Sequence, residues 1–171
     1  MDPLRKSALT DRPQNFSRYL DLAPDVDLHD LLRAHADPLA GIDPAVYVPR
    51  ENHAYAVGKW TVAGVIQHMV DTERIFTYRA LRFARRDAAA LPGFDENAHA
   101  AQAPARGFTE LASEFRLVRA STIALYAGFD AAGLRFVGNA NGTAISAGSF
   151  GFAIIGHQLH HCAVLAQRYR A

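Results

Sequence analysis

The chain has 171 residues, half of them hydrophobic and a fifth charged, with a formal net charge of +1. Those values describe one globular domain, 1–171, able to bury a real core, and they exclude the global basic field of a nucleic-acid binder. The single cysteine, Cys162, excludes an internal disulfide framework and fits a reducing cytoplasm. The start, Met1-Asp2-Pro3-Leu4-Arg5-Lys6, lacks the apolar stretch of a secretory signal. The longest apolar run, Phe150 to Ile155, falls far short of the ~20 residues that span a bilayer, so no membrane partner is expected.

In chain order, residues 1–26, with prolines at 3, 13 and 24, read as an irregular arm with a short extended piece near Phe16–Leu20. Asp27 caps a first helix from Leu28 to about Ala40, whose apolar face is Leu28, Leu31, Leu32 and Leu39. Pro44, Pro49 and Gly58 break every pattern in a loop over 42–60. Thr61 caps a second helix reaching about Arg86, and residues 91–107 form a long loop. Thr109 caps a third helix, Glu110 to about Ala127. Asn141-Gly142 is fit to close a small hairpin, and a fourth helix runs from about Ser146 to Tyr169. Four amphipathic helices without a strong strand pattern predict an all-α four-helix bundle with long loops.

The fourth helix carries His157, His160 and His161 in an otherwise apolar setting. Residues four apart on a helix differ by about 40° and lie one turn apart, so His157 and His161 aim at one point. His160 is the alternative partner of His157, or a neighbouring proton carrier. The missing ligand must come from another helix, and His68 is the candidate, with Gly64 one turn before it leaving room for approach. Three neutral imidazoles suit Zn2+, Ni2+ and other borderline divalent ions and leave a position for water. Asp71 would be a fourth ligand, an acceptor for an imidazole N–H, or a general base. A lone histidine on an apolar face is more often a hydrogen-bonded core residue; the pair and the third inward histidine shift that balance only if the two helices touch. His29, His35, His53 and His99 read as surface residues.

The string Trp60-Thr61-Val62, His68 and Asp71-Thr72-Glu73-Arg74-Ile75-Phe76-Thr77-Tyr78-Arg79 resembles the second helix of DinB-like proteins. So do Leu91-Pro92-Gly93-Phe94-Asp95-Glu96-Asn97 and Ile155-Gly156-His157 with His160-His161 and Arg168-Tyr169. The resemblance covers about Tyr19 to Tyr169. It implies up-down-down-up connectivity, a homodimer, and a divalent metal held by His68, His157 and His161. Relatives include S-transferases and isomerases working with low-molecular-weight thiols, and presumed metal-dependent hydrolases.

Among secondary features, the arginines of the second helix either pair with acids such as Asp87 and Glu114 or form a basic wall for an anionic substrate or thiol cofactor. Arg79, mid-helix, is the functional candidate. Cys162 faces about 100° away from His161 and reads as core. Trp60 and Tyr78 either line a pocket or, as large aromatics more often do, pack in the core, and the 91–107 segment reads as a cover for the site, a plain connection or a dimer contact. The expected function is a metal-dependent hydrolase or thiol-dependent transferase acting on a small molecule, with Asp71 or His160 managing protons. The alternative is a stress-related metal-binding or interaction protein without turnover; a site open to a pocket favours the enzyme, a closed one the alternative.

Overall fold

Side-chain oxygens open the long helices where a free backbone N–H needs an acceptor. The computed structural model describes residues 3–170. In it, Thr61 Oγ1 accepts from Gly64 N at 3.0 Å and starts α4 (Val62–Ala84), while Ser146 Oγ accepts from Ser149 N at 3.0 Å and starts α8 (Ala147–Arg168). Asp27 caps α2 (Leu28–Ala34) through His29 N and Asp30 N. The helix predicted to reach Ala40 stops six residues earlier: Pro38 has no N–H to donate and disfavours helical backbone at Asp37. Thr109 is not a cap. α6 (Phe108–Ala127) starts at Gly107, because Glu51 Oε2, distant in sequence, takes the Phe108 N–H at 2.8 Å.

Three stretches expected to be irregular are helical. The extended piece near Phe16–Leu20 is instead α1 (Ser17–Leu22), too short to persist alone and held by packing on α8. The loop over 42–60 contains α3 (Pro44–Tyr47), with Asp43 at the cap and proline at the first helical position. The 91–107 segment contains α5 (Glu96–Gln102), capped by Asp95. After α7 (Ala131–Arg135), β1 (Val137–Ala140) and β2 (Thr143–Ser146) form the hairpin, paired Val137↔Ser146 through Ala140↔Thr143. Asn141 and Gly142 turn it with φ of 54° and 77°, the left-handed pair of a type I′ turn. The fold is therefore mostly helical with one small sheet. Among the described residues, no helix is long and apolar enough to cross a membrane.

The core is divided along the bundle axis. One apolar cluster gathers Leu28 and Leu31, Phe76 and Phe83 of α4, Tyr126, and Phe150 to Ile155 of α8. The other gathers Val62 to Val70 of α4, Phe108 to Phe115 of α6, and Leu165 with Tyr169. Between them the same helices turn polar, with Thr72 and Glu73 on α4, Arg119 and Thr122 on α6, and His157 and Gln158 on α8, all buried. Burying that layer is tolerable only because its groups find partners. Arg119, fully buried, grips Glu73 with two bonds (Nε–Oε1 2.9 Å, Nη2–Oε2 2.8 Å). Its Nη1 donates to Gln158 Oε1 at 2.8 Å and to the His35 carbonyl, and Thr122 Oγ1 donates to Glu73 at 2.8 Å.

Contacts along the helices fix who meets whom. Gln67 meets Arg106, Glu73 meets Arg119, and Arg86 meets Asp130 between α4 and the region of α6. His68 meets His157, and Phe76 and Phe83 meet Phe150, between α4 and α8. Leu28 lies where Gly151 would carry a side chain, and the Pro38 carbonyl faces Cys162.

Candidate metal centre

α4 and α8 touch along the polar layer, and that contact brings together His68, His157 and His161. One nitrogen from each lies within 4.8 Å of the others. His68 Nε2 and His157 Nε2 are 2.9 Å apart, near the roughly 3.3 Å that two imidazoles at ~2.05 Å from a tetrahedral ion require. Gly156 allows the arrangement: α1 lies directly on it, so that Tyr19 stands edge-on to His157 with centroids 5.1 Å apart. Trp60 tilts over His68 at 4.6 Å, and Thr72 Oγ1 is 3.5 Å from His68 Nδ1.

Burial makes these rings neutral nitrogen donors rather than cations. Desolvation, with some repulsion from His160, pushes His68 down to about 4. Desolvation and the neighbouring rings push His161 to about 3 and His157, only 4% exposed, well below its ordinary value. All three are neutral at pH 7, each with a lone pair to give. His161 Nδ1 is buried with no hydrogen-bond partner among the described residues. An orphaned nitrogen beside two convergent imidazoles fits a bound divalent ion better than a closed hydrogen-bonded core.

The same shifts set a pH dependence. The folded pKa values lie below the unfolded value of 6.5, so the unfolded chain takes up protons first as the pH falls. Stability in metal-free protein is fully present above about pH 6.5 and is lost progressively toward pH 4 to 3, where the rings of the folded protein also take up protons. Urea midpoints at pH 7.5, 6.0 and 5.0 should fall steadily; a flat series would show that the rings are not held neutral by the fold.

The cluster opens on a cavity of about 340 Å³, lined also by His160, Arg79, Tyr19, Trp60 and Phe94. His160 is half-buried, 4.9 Å ring to ring from His161, and its pKa is lowered by desolvation and by Arg18. Arg79 is buried on the wall. Asp71 is not among the cavity's residues: its Oδ1 accepts from Gln67 Nε2 at 2.9 Å, and it faces a separate groove beside α5. Three residues beyond His68 along α4, it lies round the helix from the cluster. Of the other second-helix arginines, Arg74 pairs with Glu114, Arg82 with Asp87 and Arg86 with Asp130, while Arg85 lies over the Phe129 ring. Cys162 packs against the Pro38 carbonyl, burial raising its thiol to about 11. Tyr78 is half-exposed rather than core. Phe94 and Glu96 place part of the 91–107 segment on the cavity wall.

Tyr19 lies outside the site residues expected from the sequence, because prolines at 3, 13 and 24 predict an irregular arm there. The signal was Tyr19-Leu20 one turn from Phe16, an apolar patch in a stretch otherwise polar.

A sequence model of the DinB superfamily matches residues 8–165. Among solved structures, the chain is similar to YfiT from Bacillus subtilis, described as a probable metal-dependent hydrolase with an unusual four-helix bundle topology. The TM-score is 0.67 at 14% identity, over 91% of this chain and 86% of that one, so the likeness is one of fold. No curated protein sequence matches the chain.

Proposed function

The chain belongs to the DinB superfamily, and from that premise we propose that it is a metal-dependent enzyme of the hydrolase type, its ion held by His68, His157 and His161. The observation that supports this most is the opening of the three-histidine cluster onto a cavity large enough for a small molecule, which a purely structural or storage site has no need of. The similar fold of YfiT, a probable metal-dependent hydrolase, agrees with it. The connectivity proposed is up-down-down-up. The pairings Gln67–Arg106 and Arg86–Asp130 support α4 running with α6, while His68–His157 beside Phe83–Phe150 support α8 running against α4.

A divalent ion of the Zn2+ or Ni2+ kind would supply a Lewis acid and a bound water of lowered pKa. The chain's own residues do the rest. His68, His157 and His161 present neutral nitrogens because burial disfavours their protonated forms. Trp60 and Tyr19 fix the faces of His68 and His157 and keep bulk water from them. His160, neutral at pH 7 and on the cavity wall, takes up and returns the proton of the reacting group. Asp71, turned toward the α5 groove, has no part in this scheme.

The test is elemental analysis of untagged protein beside a His157→Ala variant, followed by turnover of simple esters and amides. Stoichiometric divalent metal in the wild type and its loss in the variant are expected, with hydrolysis following metal content. Substoichiometric metal in both would sink the assignment. Turnover that needs a low-molecular-weight thiol and an electrophile would reassign the reaction to S-transfer.

A further inference from the structure

Arg79 is 6% exposed, yet its side chain lines the cavity. Its Nη2 donates to the Pro92 carbonyl at 2.7 Å, and the guanidinium lies over the Phe94 ring, 5.7 Å from its centroid. Unlike Arg74, Arg82, Arg86 and Arg119, it has no carboxylate within ion-pair distance among the described residues. One carbonyl and an aromatic face are poor compensation for a desolvated cation. The other charged groups of the cavity are Arg18 and Glu96, both exposed, so nothing inside it balances Arg79. The wall also carries the aromatic rings of Phe16, Phe76 and Phe94, beside the polar side chains of Asn15, Thr72 and Asn141.

We propose that Arg79 is the anion-binding residue of this cavity, and that the substrate is a small carboxylic acid with an apolar or aromatic body. The proposal rests on the cavity's being the active site. A single buried guanidinium presents a planar pair of donors that matches the two oxygens of a carboxylate, while the cavity's other cation, Arg18, is exposed; a phosphate dianion is better matched by several convergent cations. Arg79 lies eleven residues beyond His68, about 16 Å of helical rise. Side chains on a helix lean toward its N-terminus, here toward the histidines, but the arginine covers only part of that span. The carboxylate therefore binds at the end of the molecule remote from the scissile bond, which excludes substrates whose carboxylate is directly adjacent to it.

The experiment is calorimetric titration with 4-phenylbutyrate, its neutral amide and 3-phenylpropyl phosphate, on protein as isolated and after dialysis against EDTA. The acid is expected to bind at least about tenfold more tightly than the amide in both preparations. Arg79→Gln should abolish that preference and Arg79→Lys keep part of it. Equal binding of acid and amide by the wild type would overturn the proposal without any variant having to fold. So would tighter binding of the phosphate, a preference that survives Arg79→Gln, or one that disappears with EDTA, since then the metal and not Arg79 holds the carboxylate. Metal content, measured separately, tells a failure of this proposal from a failure of the metal site.

Discussion

Replacing Gly156 by alanine is expected to destabilise the protein by about 2–4 kcal/mol, lowering Tm by roughly 5–15 °C. The substitution goes against the local preference of the chain, since alanine in the interior of a 22-residue helix is ordinarily worth about 1 kcal/mol over glycine. Here a Cβ would stand 1.8 Å from the Tyr19 carbonyl oxygen and 2.5 Å from its carbon. Both are backbone atoms, so no side-chain rotation relieves the clash and α1 as a whole must leave α8. With it go the packing of the fully buried Leu20 and the edge contact of Tyr19 on His157. Calorimetric melting measures the loss, and amide exchange should show it concentrated in residues 17–22. A melt unchanged or raised would mean that α1 is not seated there.

The second large effect belongs to Arg119. Arg119→Met leaves Glu73 buried with only Thr122 to answer its charge, and strips donors from Gln158 and the His35 carbonyl. Breaking a buried pair from one side costs about 3–5 kcal/mol, whereas the exposed pair Arg86–Asp130 is worth at most about 1 kcal/mol. Urea unfolding of Arg119→Met should show that loss, and Arg86→Ala almost none. Adding Glu73→Leu to Arg119→Met should recover much of the deficit, because no unpaired charge then remains. If the single and double variants are equally unstable, the network contributes shape rather than charge compensation.

The long helices and the histidine tripod were legible in the sequence because each rests on local rules: Thr61 and Ser146 as caps, a period of 3.6 in the apolar positions, and two histidines one turn apart. The hairpin was legible from Asn141-Gly142 for the same reason. What was missed depends on distant partners. α1 exists because Gly156 leaves it a seat, and α6 begins at Phe108 because Glu51 reaches it from another loop. α3 and α5 carry local signals, Asp43-Pro44 and Asp95-Glu96, masked in the sequence by nearby prolines and glycines. Asp71 illustrates the limit of spacing: three residues from His68, it nonetheless faces another groove. Arg119 stands in the apolar register of α6, four after Phe115 and three before Thr122, which is the sequence trace of the buried network.

The chain between α4 and α5 crosses the protein's surface, but it is not slack. Leu91 donates to the Asn139 carbonyl at 2.9 Å and accepts from the Asn141 N–H at 2.8 Å, and Gly93 leaves room for the Asn141 side chain. Leu91 is thus stitched to the hairpin tip, while the next residue's carbonyl holds Arg79 and Phe94 covers its guanidinium. Unzipping the hairpin and lifting this wall of the cavity are consequently one cooperative opening rather than two. The tip of a sheet of two four-residue strands thus anchors the segment that covers Arg79.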